Sequence, residues 1–150
     1  MEFREFWRAF ERVHAGRAIA GALRRFGFAA DRTLPDDEIV DLMIAAESLF
    51  LSEMDEKHRG ELCLTRAASL LGTTLDERLR LSKFMRRAYD ARSVLVHGGV
   101  PSERDLRGPN GELAAIHAFA DHLESVLLAS LRTAIRLLAS GQPFPPNREE

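Results

Sequence analysis

Cysteine is almost missing from this chain: Cys63 is the only one in 150 residues. An internal disulfide is therefore excluded, and the five histidines form no Cys/His cluster with zinc spacing. Long apolar runs are missing as well. None approaches the roughly 20 residues of a membrane-spanning helix, and the opening MEFREFWRAFERVH lacks the apolar core of a signal peptide. A dominant charge is also lacking, since 21 Lys and Arg face 23 Asp and Glu for a net −2. That balance is not the footprint of a strongly basic nucleic-acid binder. The expectation from these absences is a cytoplasmic chain with no membrane contact, no metal and no cofactor.

What is present suits one globular domain. The composition is 45% hydrophobic and 29% charged, and the length allows a real core. The charge is uneven along the chain: residues 36–61 sum to −7, whereas residues 76–97 sum to +3. The second stretch carries a basic stripe of Arg78, Arg80, Lys83, Arg86 and Arg87. A solvated helix face is the simplest reading of most of these cations.

Helical periodicity runs through the chain and no strand pattern interrupts it. Residues 3–27 keep an apolar face, with Gly27 as the expected stop, and 31–35 form a turn. Pro35 with Asp36, Asp37 and Glu38 makes a good helix start, and the next helix is expected over 37–51. A third is expected over 60–71, closed by Gly72. Cys63 on its face reads as a small buried hydrophobe. Thr74 and Glu77 fit a capping box for a fourth helix that runs to His97, where Gly98, Gly99 and Pro101 end it. A polar loop covers 100–111 and a last helix 112–140. The expected fold is an all-α, single-domain bundle of about five helices in up-down antiparallel packing. Residues 1–35 supply its first helix and turn, 36–140 its core, and 141–150 a flexible proline-rich tail.

The stretch YDARSVLVHGG, Tyr89 to Gly99, holds the most suggestive pair, Arg92 and His97. The bare spacing decides nothing. With 19 Arg and 5 His, random placement yields about 1.9 Arg–His pairs separated by four to six residues. The chain has two, Arg92/His97 and Arg8/His14. Position separates them, because only the first lies at a helix end. Five steps of about 100° put Arg92 and His97 about 140° apart around the helix, so they converge only at its end or across a symmetric dimer. Arginine grips phosphoryl oxygens, and histidine moves protons near neutral pH. Together they suit attack of a ribose 2′-hydroxyl on the adjacent phosphorus, which needs no metal. Ser93 adds a hydroxyl beside Arg92. Glu47, inside the apolar run IAAESLF, is either a boundary carboxylate or a buried acid held by Arg66 or Arg92.

Four blocks, RRFGFAADR, DDEIVDLMIAAESLF, GELCLTRAASLLG and RRAYDARSVLVHGG, resemble as an ordered set the HEPN superfamily, in its Apea-like branch. The resemblance covers about residues 23–99. It implies an all-α homodimer with the Arg and His helices of two protomers facing each other. It further implies a metal-independent endoribonuclease, of the kind used in toxin–antitoxin and antiphage defence systems. On it, Arg92 and His97 carry over as the catalytic pair, with RNA as substrate and an antitoxin or other protein as a further partner. Ser93 stands where the family often has Asn, Asp or His. Ser93, Glu47, Arg66 and Tyr89 are the expected site-supporting residues, and Arg86, Arg87 and Lys83 the expected contacts to the RNA backbone. The alternatives are a noncatalytic HEPN module that binds RNA, a nucleotide or a protein, and a structural helical domain in which Arg92 pairs with Glu47.

Overall fold

The computed structural model describes residues 14–51, 57–142 and 144. Its elements are α1 (His14–Ala30), α2 (Pro35–Phe50), α3 (Arg59–Leu71), α4 (Leu75–Val96) and α5 (Ile116–Ala139). The expected all-α bundle is what forms. The expected helix over residues 3–13 and most of the proline-rich tail lie outside the described residues, as does Arg8 of the second Arg–His pair.

The second helix is the hub and packs on each of the other four. Ile39, Leu42, Met43, Ala45, Ala46, Leu49 and Phe50 all stay under 2% exposed, so burial extends around much of its circumference. Pro35 opens it, and Asp36, Asp37 and Glu38 fill its first turn, where the helix dipole favours acids. The core continues through Ile19 of α1, Phe84 and Met85 of α4, and Phe119, Leu123, Leu127 and Leu131 of α5. The Phe84 and Phe119 rings tilt at 46° with centroids 5.2 Å apart, which ties α4 to α5.

The capping box at the start of α4 forms as expected. Glu77 N–H donates to the Thr74 hydroxyl at 3.2 Å, and the Glu77 carboxylate accepts from Thr74 N–H at 3.2 Å. Thr73 adds its hydroxyl and its N–H, both at 2.7 Å. These hydrogen bonds, led by the Thr73 hydroxyl, hold the Glu77 carboxyl below its ordinary range.

Two expected helix limits are corrected. Gly27 does not stop α1, which runs on to Ala30. Ala29 is 3% exposed, so the additional turn is held down by the core. At the other end, residues 112–115 are not helical, and α5 starts at Ile116. The chain reverses at Gly108–Gly111 instead, with an isolated antiparallel bridge between Arg107 and Leu113. Gly108 N–H donates to Glu112 O at 2.8 Å, and Ala114 N–H donates to Leu106 O at 3.2 Å. Those backbone pairs take 106–114 out of helical register.

Candidate functional site

The end of α4 is set by a glycine turn. Gly98 takes φ +77° and donates to Leu95 O at 3.0 Å, while Gly99 donates to Val94 O at 2.9 Å. This is the Schellman pattern. It leaves His97 as the C-cap residue, with its N–H on Ser93 O at 3.3 Å and its side chain exposed. Ser93 itself is half-buried.

Arg92 faces another way. Its Nη1 lies 3.5 Å from Glu47 Oε1 on α2, with the two side chains 27% and 24% exposed. Its Nε is enclosed by protein and has no hydrogen-bond partner. Glu47 is thus the half-buried acid held by a cation. Arg66, the other expected partner, donates from Nη1 to Phe50 O at 2.6 Å and so satisfies a carbonyl at the end of α2. Cys63 sits within the field of this group. Burial, followed by the Glu47 charge, pushes its thiol up to about 12 against the pull of Arg66 and Arg59. Such a thiol is a packing group and not a nucleophile.

Tyr89 is also structural. Its ring lies against Gly60, where an added Cβ would come within 3.2 Å of it, so the start of α3 docks closely on α4. The basic stripe is largely absorbed by local pairs. Arg78 Nε donates to Gly72 O at 3.0 Å and closes the end of α3. Arg80 pairs with Asp76 one turn earlier and reaches Asn110 Oδ1 at 3.4 Å. Arg86 pairs with Glu61 of α3, and this hydrogen bond raises the arginine's pKa. Arg87 is half-buried with Nη1 enclosed and unpartnered, and Lys83 is exposed.

No protein-family model, curated protein or solved structure matches this chain. The residues and their geometry therefore carry the functional reading. No helix among the described residues is long and apolar enough to cross a membrane.

Two acid-centred clusters lie outside the residues singled out from sequence. Glu38 of α2 meets Asp121 and Glu124 of α5, with one carboxylate oxygen from each within 4.8 Å of the others. Burial and then the charges of Glu124 and Asp121 raise the Glu38 carboxyl. Oxygen-only donors of this kind match a hard cation in type. The second cluster centres on Asp41, which is 3% exposed between Arg32 and Arg25. The sequence signal for it was an acid placed directly before Leu42 and Met43 in an apolar run.

Proposed function

We propose that the protein is a HEPN-type, metal-independent endoribonuclease that cleaves RNA by 2′-hydroxyl transesterification. The observation that carries this reading is the end of α4, where His97 is exposed at the C-cap five residues after Arg92. His97 can meet a substrate from solvent and exchange a proton with the 2′-hydroxyl or the leaving 5′-oxygen. Arg92 supplies positive charge to the phosphoryl oxygens, and Glu47 limits where that charge can go. One protomer points the two side chains in different directions, so the working unit in this reading is a homodimer. Val96 at 56% exposed and Val100 at 90% flank His97 and offer uncovered apolar surface for a second copy. Defence or toxin–antitoxin action, with an antitoxin as partner, is the setting that the HEPN resemblance implies.

A noncatalytic HEPN module is the second reading. It is favoured by the local partners of Arg78, Arg80 and Arg86, while the Arg92–Glu47 ion pair is the arrangement expected of a structural helical domain. Incubation of mixed RNA with the purified protein in excess EDTA tests both. The expected result is fragments ending in 2′,3′-cyclic phosphate, with His97→Ala slowed by about 100-fold or more. Equal cleavage by the wild type and His97→Ala would sink the catalytic assignment. Binding of RNA without cleavage by the wild type selects the noncatalytic module.

A further inference from the structure

The corner between α1 and α2 gathers two arginines, an exposed aromatic ring and a buried acid. Arg25 and Phe28 come from the last turns of α1, and Asp31 and Arg32 from the link that follows. Together they line a surface cavity of about 300 Å³. Phe28 is 45% exposed although it is a large apolar side chain. The Arg25 guanidinium lies over its ring at 5.7 Å from the centroid.

Asp41 on α2 makes this a built arrangement. It accepts a hydrogen bond from Arg32 Nε at 2.7 Å, and its other oxygen lies 3.6 Å from Arg25 Nη1. A buried carboxylate needs such partners, so both arginines are held in place. Their side chains nevertheless remain 42% and 46% exposed. Each guanidinium carries five N–H donors, more than one carboxylate can take. Fixed cationic donors therefore stand beside a half-exposed ring that carries Arg25 over one face.

We infer that this corner binds one nucleotide unit, a nucleobase joined to its phosphate. The base stacks on the face of Phe28 opposite Arg25, and phosphate oxygens take the outward N–H groups of Arg32 and Arg25. Asp31 at the cavity edge accepts from an exocyclic amino group such as that of adenine. A bare anion or an acidic peptide would use the arginines and leave the exposed part of the ring uncovered. An apolar ligand would cover the ring and leave the guanidiniums unmatched. The volume lies at the lower end for small-molecule sites, about 300–1,000 Å³, and suits a single nucleotide. A free nucleotide and one unit of single-stranded RNA share this chemistry. The site does not rest on the ribonuclease reading, because none of its residues belongs to the end of α4.

Titration of the full chain with AMP and with a short oligoriboadenylate tests the site. The expected result is saturable binding of at least one probe, weakened about tenfold or more by Phe28→Ala, which removes one base–ring stack. Arg32→Gln weakens it too, whereas Phe28→Trp retains it and shows quenching of the new indole. A tighter oligonucleotide assigns the site to RNA, and equal affinities assign it to a free nucleotide. Phe28 is half exposed, so an unchanged melting temperature for its variants separates lost binding from lost folding. No binding of either probe at millimolar concentration, or full affinity in both Phe28→Ala and Arg32→Gln, overturns the inference.

Discussion

Neutralising Glu47 is the perturbation that best tests how the candidate site is held. Glu47→Gln keeps the shape of the side chain and removes the charge 3.5 Å from Arg92. Two unit charges at that separation attract by about 1.2 kcal/mol in bulk water and about 4.7 kcal/mol at the effective dielectric near a protein surface. Both side chains are about a quarter exposed, so solvent screens the pair and partial desolvation offsets some of the attraction. Fully exposed pairs couple by roughly 0.2–1 kcal/mol, and this more enclosed pair is expected at about 1–2 kcal/mol. Urea denaturation of the wild type, Glu47→Gln, Arg92→Gln and the double variant measures the coupling directly. Each single variant should lose about as much as the coupling. The double variant should lose less than the sum, because no partner is left stranded. A coupling energy under about 0.3 kcal/mol, within ordinary additivity, would refute the view that Glu47 fixes Arg92. Where the protein cleaves RNA, Glu47→Gln should lower kcat more than it raises KM, because a loosened Arg92 mainly costs transition-state stabilisation.

Two further outcomes follow from single residues. The Cys63 thiol, raised from 9.0 to about 12, keeps its proton in the folded state while the unfolded chain loses it. Its contribution is complete below pH 9 and is lost as pH rises towards 12, at up to about 1.4 kcal/mol per pH unit. Cys63→Ala should flatten that part of the stability profile, and an unchanged slope would show that burial does not control the thiol. Gly98 at φ +77° and Gly27 within α1 should respond to alanine with opposite signs. Gly98→Ala costs about 1–2 kcal/mol for the left-handed backbone, whereas Gly27→Ala, whose Cβ meets nothing within 4 Å, gains about 0.4–1 kcal/mol. Thermal melts of the two variants decide it, and a shift in the same direction would contradict the conformational argument.

Features read correctly from sequence are those whose physics is local. The Thr74–Glu77 box closes within four residues, and Pro35 followed by three acids opens α2 without help from the rest of the chain. Gly27 misleads because a glycine permits a helix to stop without forcing it to. The turn that keeps Gly27 helical is held by Ala29, buried against other elements. The start of α5 is misplaced for a related reason. Apolar spacing from Leu113 onward suits a helix, yet Leu113 bridges back to Arg107 and is 66% exposed. Periodicity records which residues are apolar, and a backbone pairing across a glycine turn leaves little trace in it.

The candidate site divides along the same line. Helical geometry alone separates Arg92 from His97 around α4, and the glycines after His97 foretell its exposed place at the helix end. Which acid meets Arg92 depends on how α4 lies on α2, and sequence narrowed that only to Glu47 with two competing cations. The basic stripe shows why counting cations is a weak guide to nucleic-acid contact. Arg78 closes a helix end, while Arg80 and Arg86 face carboxylates, so much of their donor capacity serves the fold. The corner at Arg25 and Arg32 is charged in the sequence, but its arginines are offset there by the acids around them. There one buried carboxylate orients two guanidiniums that remain nearly half exposed beside a half-exposed ring. What an arginine can offer a ligand is therefore set by the donors that remain after the fold has taken its share, and that remainder is a property of packing.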